Sequence, residues 1–329
     1  MVIDLLSIGD ASLDVFLTPV ESETFCRVDT KECFLGFSYG EKIPVKRMEF
    51  TVGGNAANNA VGTKRLGLNS ALVTTMGEDM VGEQILNTLE SEGVDTTFVI
   101  TQPASSSNYS AIINYGGERT ILSYKAPISY EFPVKLPSVN WVYLTSMGDS
   151  FRPFFNHLVD WLKFNPQIKL AFNPGSRQLR VDFEQIEDVV SRSYILYVNR
   201  EEAEKITGFS NSLGKEKELL NEITKLGVKI PIITDGNNGS FVFDGNKYLK
   251  CGVLPVDAYE RTGAGDAFGS GCLSAIIKGR PFEEALLWGT VNAASVIGYT
   301  GSQKGLLREA DIEIWLERAR SSGVKVEEF

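Results

Sequence analysis

The apolar and polar positions along the chain sort it into a few regimes. Val2 to Ile8 is mostly apolar and ends in Gly9-Asp10, which predicts a first strand stopping in a loop. Between Val15 and Phe50 helical spacing is missing. Val28, Phe34, Phe37, Tyr39, Ile43 and Val45 stand singly among glycines and charges, predicting short strands and turns. Val52-Gly53-Gly54 closes a strand, and the Ala, Val and Leu positions up to Leu66 predict a helix ended by Gly67. Leu68 to Met76 reads as a strand and Gly82 to Ser91 as a helix. Period-two alternation returns at Tyr109, Ala111, Ile113 and Tyr115. It resumes after Gly116-Gly117 at Thr120, Leu122 and Tyr124, a hairpin pattern.

From Asn140 onward strand and helix patterns alternate: Trp141–Leu144, Phe154–Phe164, Lys169–Phe172, Phe183–Val190, Ile195–Val198, Glu201–Thr207, Leu219–Leu226 and Pro231–Thr234. Such alternation predicts an α/β fold with a mostly parallel sheet wrapped by helices. Ser240–Phe243 with the turn Asp244-Gly245-Asn246 reads as a hairpin, and Phe282–Thr300 and Asp311–Ala319 as helices. The segments at about 15–50 and 96–125 are expected to form one small sheet, a lid on a single domain spanning residues 1–329.

Composition narrows the function classes. With 329 residues, 43% hydrophobic and 22% charged, the chain can bury a large core. It has no apolar run of about 18 residues, so no membrane partner is expected. The N-terminus lacks a basic region and a cleavage site. A net charge of −10 without a Lys/Arg cluster argues against nucleic acid. The four cysteines, Cys26, Cys33, Cys251 and Cys272, lack C-x-x-C spacing and are expected as reduced thiols of a cytoplasmic protein. His157 is the single histidine, which excludes histidine triads and His-rich metal sites.

Candidate chemistry concentrates in Arg261-Thr262-Gly263-Ala264-Gly265-Asp266-Ala267-Phe268. The glycines bare the backbone N–H groups at a helix start, a ready anion site. Asp266 there is either a helix cap or the general base of a phosphoryl transfer. Gly53-Gly54-Asn55-Ala56-Ala57-Asn58 poses a second choice. A cap explains one asparagine, whereas a polar substrate against the bared backbone explains both. Asp14 is a solvent-facing strand residue or a ligand, and Arg119 a surface charge or a ligand. Asn199 and Glu202 form a capping box or a metal-linked pair. A P-loop is absent, since Gly208 to Gly214-Lys215-Glu216 has one residue too many and no hydroxyl. The turn at Gly263 lacks the last glycine of a dinucleotide fingerprint.

In these two stretches the chain resembles the ribokinase-like (PfkB) carbohydrate kinases. Lesser matches are Gly77 to Gly82, Gly117-Glu118-Arg119-Thr120, Asn199 to Glu202, and Thr234-Asp235-Gly236 with Gly239. The resemblance implies a three-layer α/β/α body with a small β-sheet lid and ATP-dependent phosphorylation of a primary hydroxyl with Mg²⁺. By this resemblance Asp266 is the catalytic base and Gly263, Ala264 and Gly265 form the anion hole. Asp14, Gly53, Gly54, Asn55 and Asn58 hold the acceptor, with Tyr109 and Arg119 from the lid. Asn199, Thr234, Gly236, Gly239, Thr262 and Asn292 face the nucleotide, and Glu202 organises the metal. Glu260-Arg261-Thr262 departs from the family's Asp-Thr-Thr and bears on K⁺, a further candidate cofactor. Asn55 stands where ribokinases carry Lys. The acceptor implied is a ribose- or fructose-like monosaccharide, with a nucleoside as the alternative, its base stacking on Phe16, Tyr109 or Tyr124. The lack of a basic cluster beside Gly53–Asn58 argues against a phosphorylated acceptor. A homodimer through the lid is expected.

Overall fold

The computed structural model describes residues 2–27, 32–116, 118–133, 135–136 and 138–329; Val28 of the expected lid and Gly117 of the expected hairpin turn lie outside them. The chain opens with β1 (Ile3–Ile8), β2 (Ser12–Pro19), β3 (Glu23–Cys26), β4 (Cys33–Gly36) and β5 (Val45–Gly53). Next come α1 (Asn55–Arg65), β6 (Ser70–Gly77), α2 (Met80–Ser91), β7 (Val99–Gln102), β8 (Tyr109–Tyr115) and β9 (Glu118–Tyr124). Then β10 (Val139–Leu144), α3 (Phe151–Phe164), β11 (Lys169–Phe172), α4 (Glu187–Arg192), β12 (Ile195–Asn199), α5 (Arg200–Thr207), α6 (Glu216–Lys225) and β13 (Ile230–Thr234) alternate. The chain ends in β14 (Ser240–Phe243), β15 (Tyr248–Cys251), α7 (Ala264–Ile277), α8 (Phe282–Val296), α9 (Glu309–Ser321) and β16 (Val326–Glu328).

Ten strands form the large sheet, in the order β16-β15-β14-β13-β12-β11-β10-β1-β6-β7. From β7 to β13 every pair is parallel, and β14, β15 and β16 add antiparallel at one edge. Parallel strands are covered on both faces, so their apolar residues serve two cores by parity. In β10, Val142 and Leu144 face the core with α3, α4 and α6, while Trp141 and Tyr143 face the one with α7, α8 and α9. Alanines along α1 (Ala56, Ala57, Ala60) bring it close to β6 and α7 in a third cluster.

A separate four-stranded sheet, β5-β2-β8-β9, stands at the C-terminal end of β1. Its β2–β8 pair is parallel and the others antiparallel. The expected lid segments need trimming: β7 belongs to the edge of the large sheet, and β3 with β4 pairs only with itself. Register fixes what each face carries, since side chains alternate along every strand. Asp14 lies opposite Thr51 and beside Ser110, so it shares a face with Gly53, Thr18, Asn114 and Arg119. Leu13, Val52, Tyr109 and Tyr124 point the other way.

The cysteine expectation is corrected. Antiparallel pairing of β3 and β4 sets Cys26 directly opposite Cys33, and the two form a disulfide with Cα atoms 4.0 Å apart. Their separation of seven residues looks like scatter until the hairpin is known. The thiol argument for a reducing compartment therefore lapses. Cys251 and Cys272 are free, and burial pushes their thiols up to about 11 and about 12. Among the described residues no helix is long and apolar enough to cross a membrane. Unfolded protein purified without reductant should titrate two thiols with Ellman's reagent, and four after reduction. Four without reductant would show that the hairpin is not bridged.

Candidate active site

Three segments converge at the C-terminal end of the parallel strands: the start of α1, the start of α7, and the stretch from Tyr299 to Leu307. Gly263, the N-cap of α7, sits at φ 81°, and a Cβ there would run into Ser302. Only glycine fits this left-handed position without strain. The turn leaves two donors bare. Ala264 and Ala267 N–H bond back to Arg261 and Gly263 carbonyls at 3.4 and 2.8 Å, whereas those of Gly265 and Asp266 find no acceptor among the described residues. Around Gly265 a Cβ would meet only open space. The bare donors and the helix dipole both favour an anion here.

The Asp266 side chain does not cap α7. Its Oδ2 accepts a 2.8 Å hydrogen bond from Asn58 Nδ2. Asn58 is itself held from the far side, its Oδ1 accepting from Ser302 Oγ at 2.8 Å and Gln303 Nε2 at 3.0 Å. Asn58 is 3% exposed, so these bonds fix its amide orientation and thereby the carboxylate. Neither asparagine caps α1, whose N-cap is Gly54 at φ 91°. Asn55, half-buried in the first turn, makes no side-chain bond among the described residues.

Burial pushes the Asp266 carboxyl up to about 6; the Glu202 and Asp14 carboxylates act in the same direction and the Asn58 hydrogen bond opposes them. Asp14 is itself buried, which raises it, while Ser12, Ser110 and Lys125 pull it back. Ser12 Oγ donates to Asp14 Oδ1 at 3.1 Å. A Cβ on Gly53 would strike the Asp14 carboxylate, and one on Gly54 the backbone at Asp10 and Ala11. The glycine pair thus lets the small sheet, β1 and α1 meet beneath the site.

On the other side of Asp266, Asn199 and Glu202 make a full capping box of two 2.9 Å bonds at the start of α5. Burial raises the Glu202 carboxyl, and its Oε1 has no protein donor. Thr262 Oγ1 is buried with no partner. Thr234 ends β13, and Gly236 (φ 49°) has open space about it. Gly239 differs: a Cβ would collide with the Cys251 carbonyl, so packing against β15 explains that glycine. Among the described residues no three His, Cys, Asp or Glu side chains cluster as a direct metal cage.

Two expected ligands are corrected. Asn292 is fully buried, and its amide is spent on the Ala267 carbonyl (2.8 Å), Ser270 Oγ (3.2 Å) and the Leu307 N–H (2.9 Å). It ties α7, α8 and the 299–307 segment together and has no group left for a nucleotide. Tyr109 faces away from Asp14 and packs against the cluster under α1. Arg119 shares the Asp14 face but at its far end. Sequence reading missed Ser302 and Gln303, which no motif marks. It also missed Asp10, placed there only in the loop that ends the first strand. Asp10 is 1% exposed and accepts from Tyr130 Oη at 2.6 Å and Lys125 Nζ at 3.1 Å, anchoring the chain that leaves β9.

Residues 21–309 match the family model described as pfkB family carbohydrate kinase. The chain belongs to the pfkB family of carbohydrate kinases. Like its relatives it is an ATP-dependent phosphotransferase. An ATP-dependent 6-phosphofructokinase of Thermoanaerobacterium thermosaccharolyticum is 24% identical, the match covering 91% of this chain and 89% of that one. A nucleoside kinase of Methanothermobacter thermautotrophicus is 25% identical over 92% of both chains. In fold the chain is similar to Arabidopsis thaliana ribokinase complexed with ribose and ATP, with a TM-score of 0.79 at 20% identity, covering 96% of this chain and 99% of that one. The ribokinase-like architecture expected from the sequence is thereby met.

The raised Asp266 carboxyl has a stability consequence. A carboxyl whose folded pKa of about 6 exceeds its unfolded value of 3.8 favours the folded state at low pH and loses that advantage as pH rises through 6. Asp266→Asn should therefore be more stable than the parent at pH 8, on the order of 1–3 kcal/mol at 1.36 kcal/mol per pKa unit. The difference should shrink as pH falls through 6 and vanish by about pH 3, below the unfolded value of 3.8, where the parent is protonated in both states. Urea unfolding at the two pH values checks this, and an equal difference at both would assign the effect to packing.

Proposed function

We propose that the protein transfers the γ-phosphoryl group of ATP to a primary hydroxyl of a monosaccharide held between the small sheet and Asp266. The observation that carries this is the Asp266 carboxylate, fixed by Asn58 beside bare amides at the start of a long helix. One Asp266 oxygen is engaged by Asn58, which leaves the other to accept the acceptor's hydroxyl hydrogen. As the hydroxyl oxygen forms its bond to phosphorus and the bond to ADP breaks, Asp266 takes the proton. Its raised pKa of about 6 makes it a stronger base than an exposed aspartate while leaving it ionised near neutrality. Charge developing on the phosphoryl group meets the Gly263-Ala264-Gly265 backbone and the positive end of α7.

Asp14, from the small sheet, would fix the acceptor's hydroxyls, with Gly53, Gly54 and Asn55 at its edge. Thr234, Gly236 and Thr262, on the Glu202 side, would face ATP. Three strand spacings separate β12 from β1, about 14 Å, so donor and acceptor approach Asp266 from opposite sides. Mg²⁺ brought with ATP neutralises phosphate charge. The free Glu202 oxygen suits such a cation held through water, since Mg²⁺ keeps most of its hydration shell. K⁺ has a weaker basis: Glu260 Oε2 already accepts from the Gly301 N–H, and only its buried Oε1 lacks a donor. A nucleoside acceptor finds less support from Tyr109 and Tyr124, which point away from Asp14; of the three aromatics only Phe16 shares the Asp14 face.

The small sheet acts as a lid that excludes water. Its outer face exposes Met48, Phe50, Leu122 and Tyr124, which fits the expected homodimer. ATP as donor fits the expected cytoplasmic location.

ATP turnover with Mg²⁺ against neutral, acidic and phosphorylated sugars and nucleosides tests the reading. One class should be phosphorylated, with little ATP hydrolysis when no acceptor is present. Its kcat/KM should rise with pH through about 6 as Asp266 ionises. Asp266→Asn should lower kcat about 10²–10⁴-fold with acceptor binding retained. A variant turning over within tenfold of the parent would sink the base assignment.

A further inference from the structure

We infer that a cavity at the far end of the small sheet binds an anionic group, phosphate or carboxylate, carried by the acceptor. The inference rests on the kinase reading and narrows its substrate class. The cavity holds about 380 Å³ and lies between the sheet and residues Ala258 to Arg261, the segment leading into the Gly263 turn. Lys46, Arg119 and Arg261 line it. None of the three makes an ion pair among the described residues, whereas the neighbouring Arg47 is paired with Glu49 and donates to Tyr259 Oη at 2.6 Å. Glu118 and Glu260 also reach the lining, and Glu260 is turned into the protein, accepting from Gly301. Three unspent cations outnumber them.

Backbone geometry aims these cations at one place. The β2–β5 register slips between Thr18 and Pro19, so that Thr18 pairs with Arg47 and Pro19 with Val45. Lys46 is the extra residue of that bulge, and bulges redirect side chains at the rims of sites. Arg119 lies opposite Asn114 on the Asp14 face of the sheet. Arg261 arrives from the opposite wall. Four residues of β2 separate Thr18 from Asp14, about 13 Å, so the cavity is an outlying pocket on the acceptor's side of Asp266. An anion there would bridge lid and turn, drawing the sheet down onto the segment that carries Asp266. No one stretch of sequence contains the cluster, which is why the segment beside Gly53–Asn58 looks unsuited to a phosphorylated acceptor.

The test begins without nucleotide, using inorganic phosphate titrated calorimetrically into the full chain. Phosphate should bind, and Arg119→Ala, Arg261→Ala and Lys46→Ala should each weaken it, the arginines at least tenfold. Arg119→Lys should retain more affinity than Arg119→Ala. With ATP, the parent should prefer the phosphorylated or carboxylated member of matched sugar pairs. Each arginine variant should lower the acidic-to-neutral ratio of kcat/KM at least tenfold. Phosphate affinity equal in parent and variants would overturn the site. A lost phosphate site with an unchanged acidic-to-neutral ratio would overturn the acceptor assignment in favour of a separate small anion. Phosphate binding that the variants abolish, in a protein that phosphorylates nothing on the panel, would uphold the site and sink the kinase reading.

Discussion

The structure turns on one hydrogen bond, from Asn58 to Asp266. A carboxylate set back from solvent at a helix start costs free energy, and burial shows that cost by pushing its pKa to about 6. What keeps it there is an amide that cannot rotate. Ser302 and Gln303 hold the Asn58 oxygen, so its nitrogen must point at Asp266. The rest of this region supports that geometry. Alanines let α1 approach α7, Gly263 lets the turn pass Ser302, and Asn292 locks the 299–307 segment to both α7 and α8.

This explains why some site residues were legible in the sequence and others were not. Gly263 and Gly265 announce themselves because a turn with bared amides tolerates little else. Asp266 was legible through its oddity, an acid where an anion is invited. Asn58 was half legible: two asparagines in an alanine-rich first turn exceed the need for one cap, yet neither turned out to be a cap. Asn292 shows the limit. Fully buried asparagines that satisfy backbone groups and those that touch ligands carry the same letter, and only the Ala267 and Leu307 bonds distinguish them. Ser302 and Gln303 have no local signal, since their partner lies more than two hundred residues away.

The large sheet was readable because alternation of strand and helix is a local pattern repeated many times. The small sheet was readable only in outline. Its hairpin follows from alternation at Tyr109 to Tyr124, but which face carries Asp14 depends on the pairing of β2 with β8, nearly a hundred residues on. A shift of one residue would exchange the faces and put Tyr109 beside Asp14. The Cys26–Cys33 bridge belongs to the same class: it depends on β3–β4 register and on nothing shorter.

Register also links the small sheet to the proposed chemistry. The Asp14 face runs from a buried carboxylate near Asp266 to an exposed Arg119 at its tip, so a ligand lying along it would meet acid first and base last. Hydroxyls suit the acidic end, because a carboxylate accepts from them and repels anions; a negative group suits only the other. The two ends thus impose a direction on whatever the sheet covers, with the reacting hydroxyl inward. A ligand lying the other way round would set its negative group against the Asp14 carboxylate and leave Arg119 facing neutral hydroxyls. Orientation would then be selected before Asp266 acts, by the same strand pairing that a linear sequence conceals.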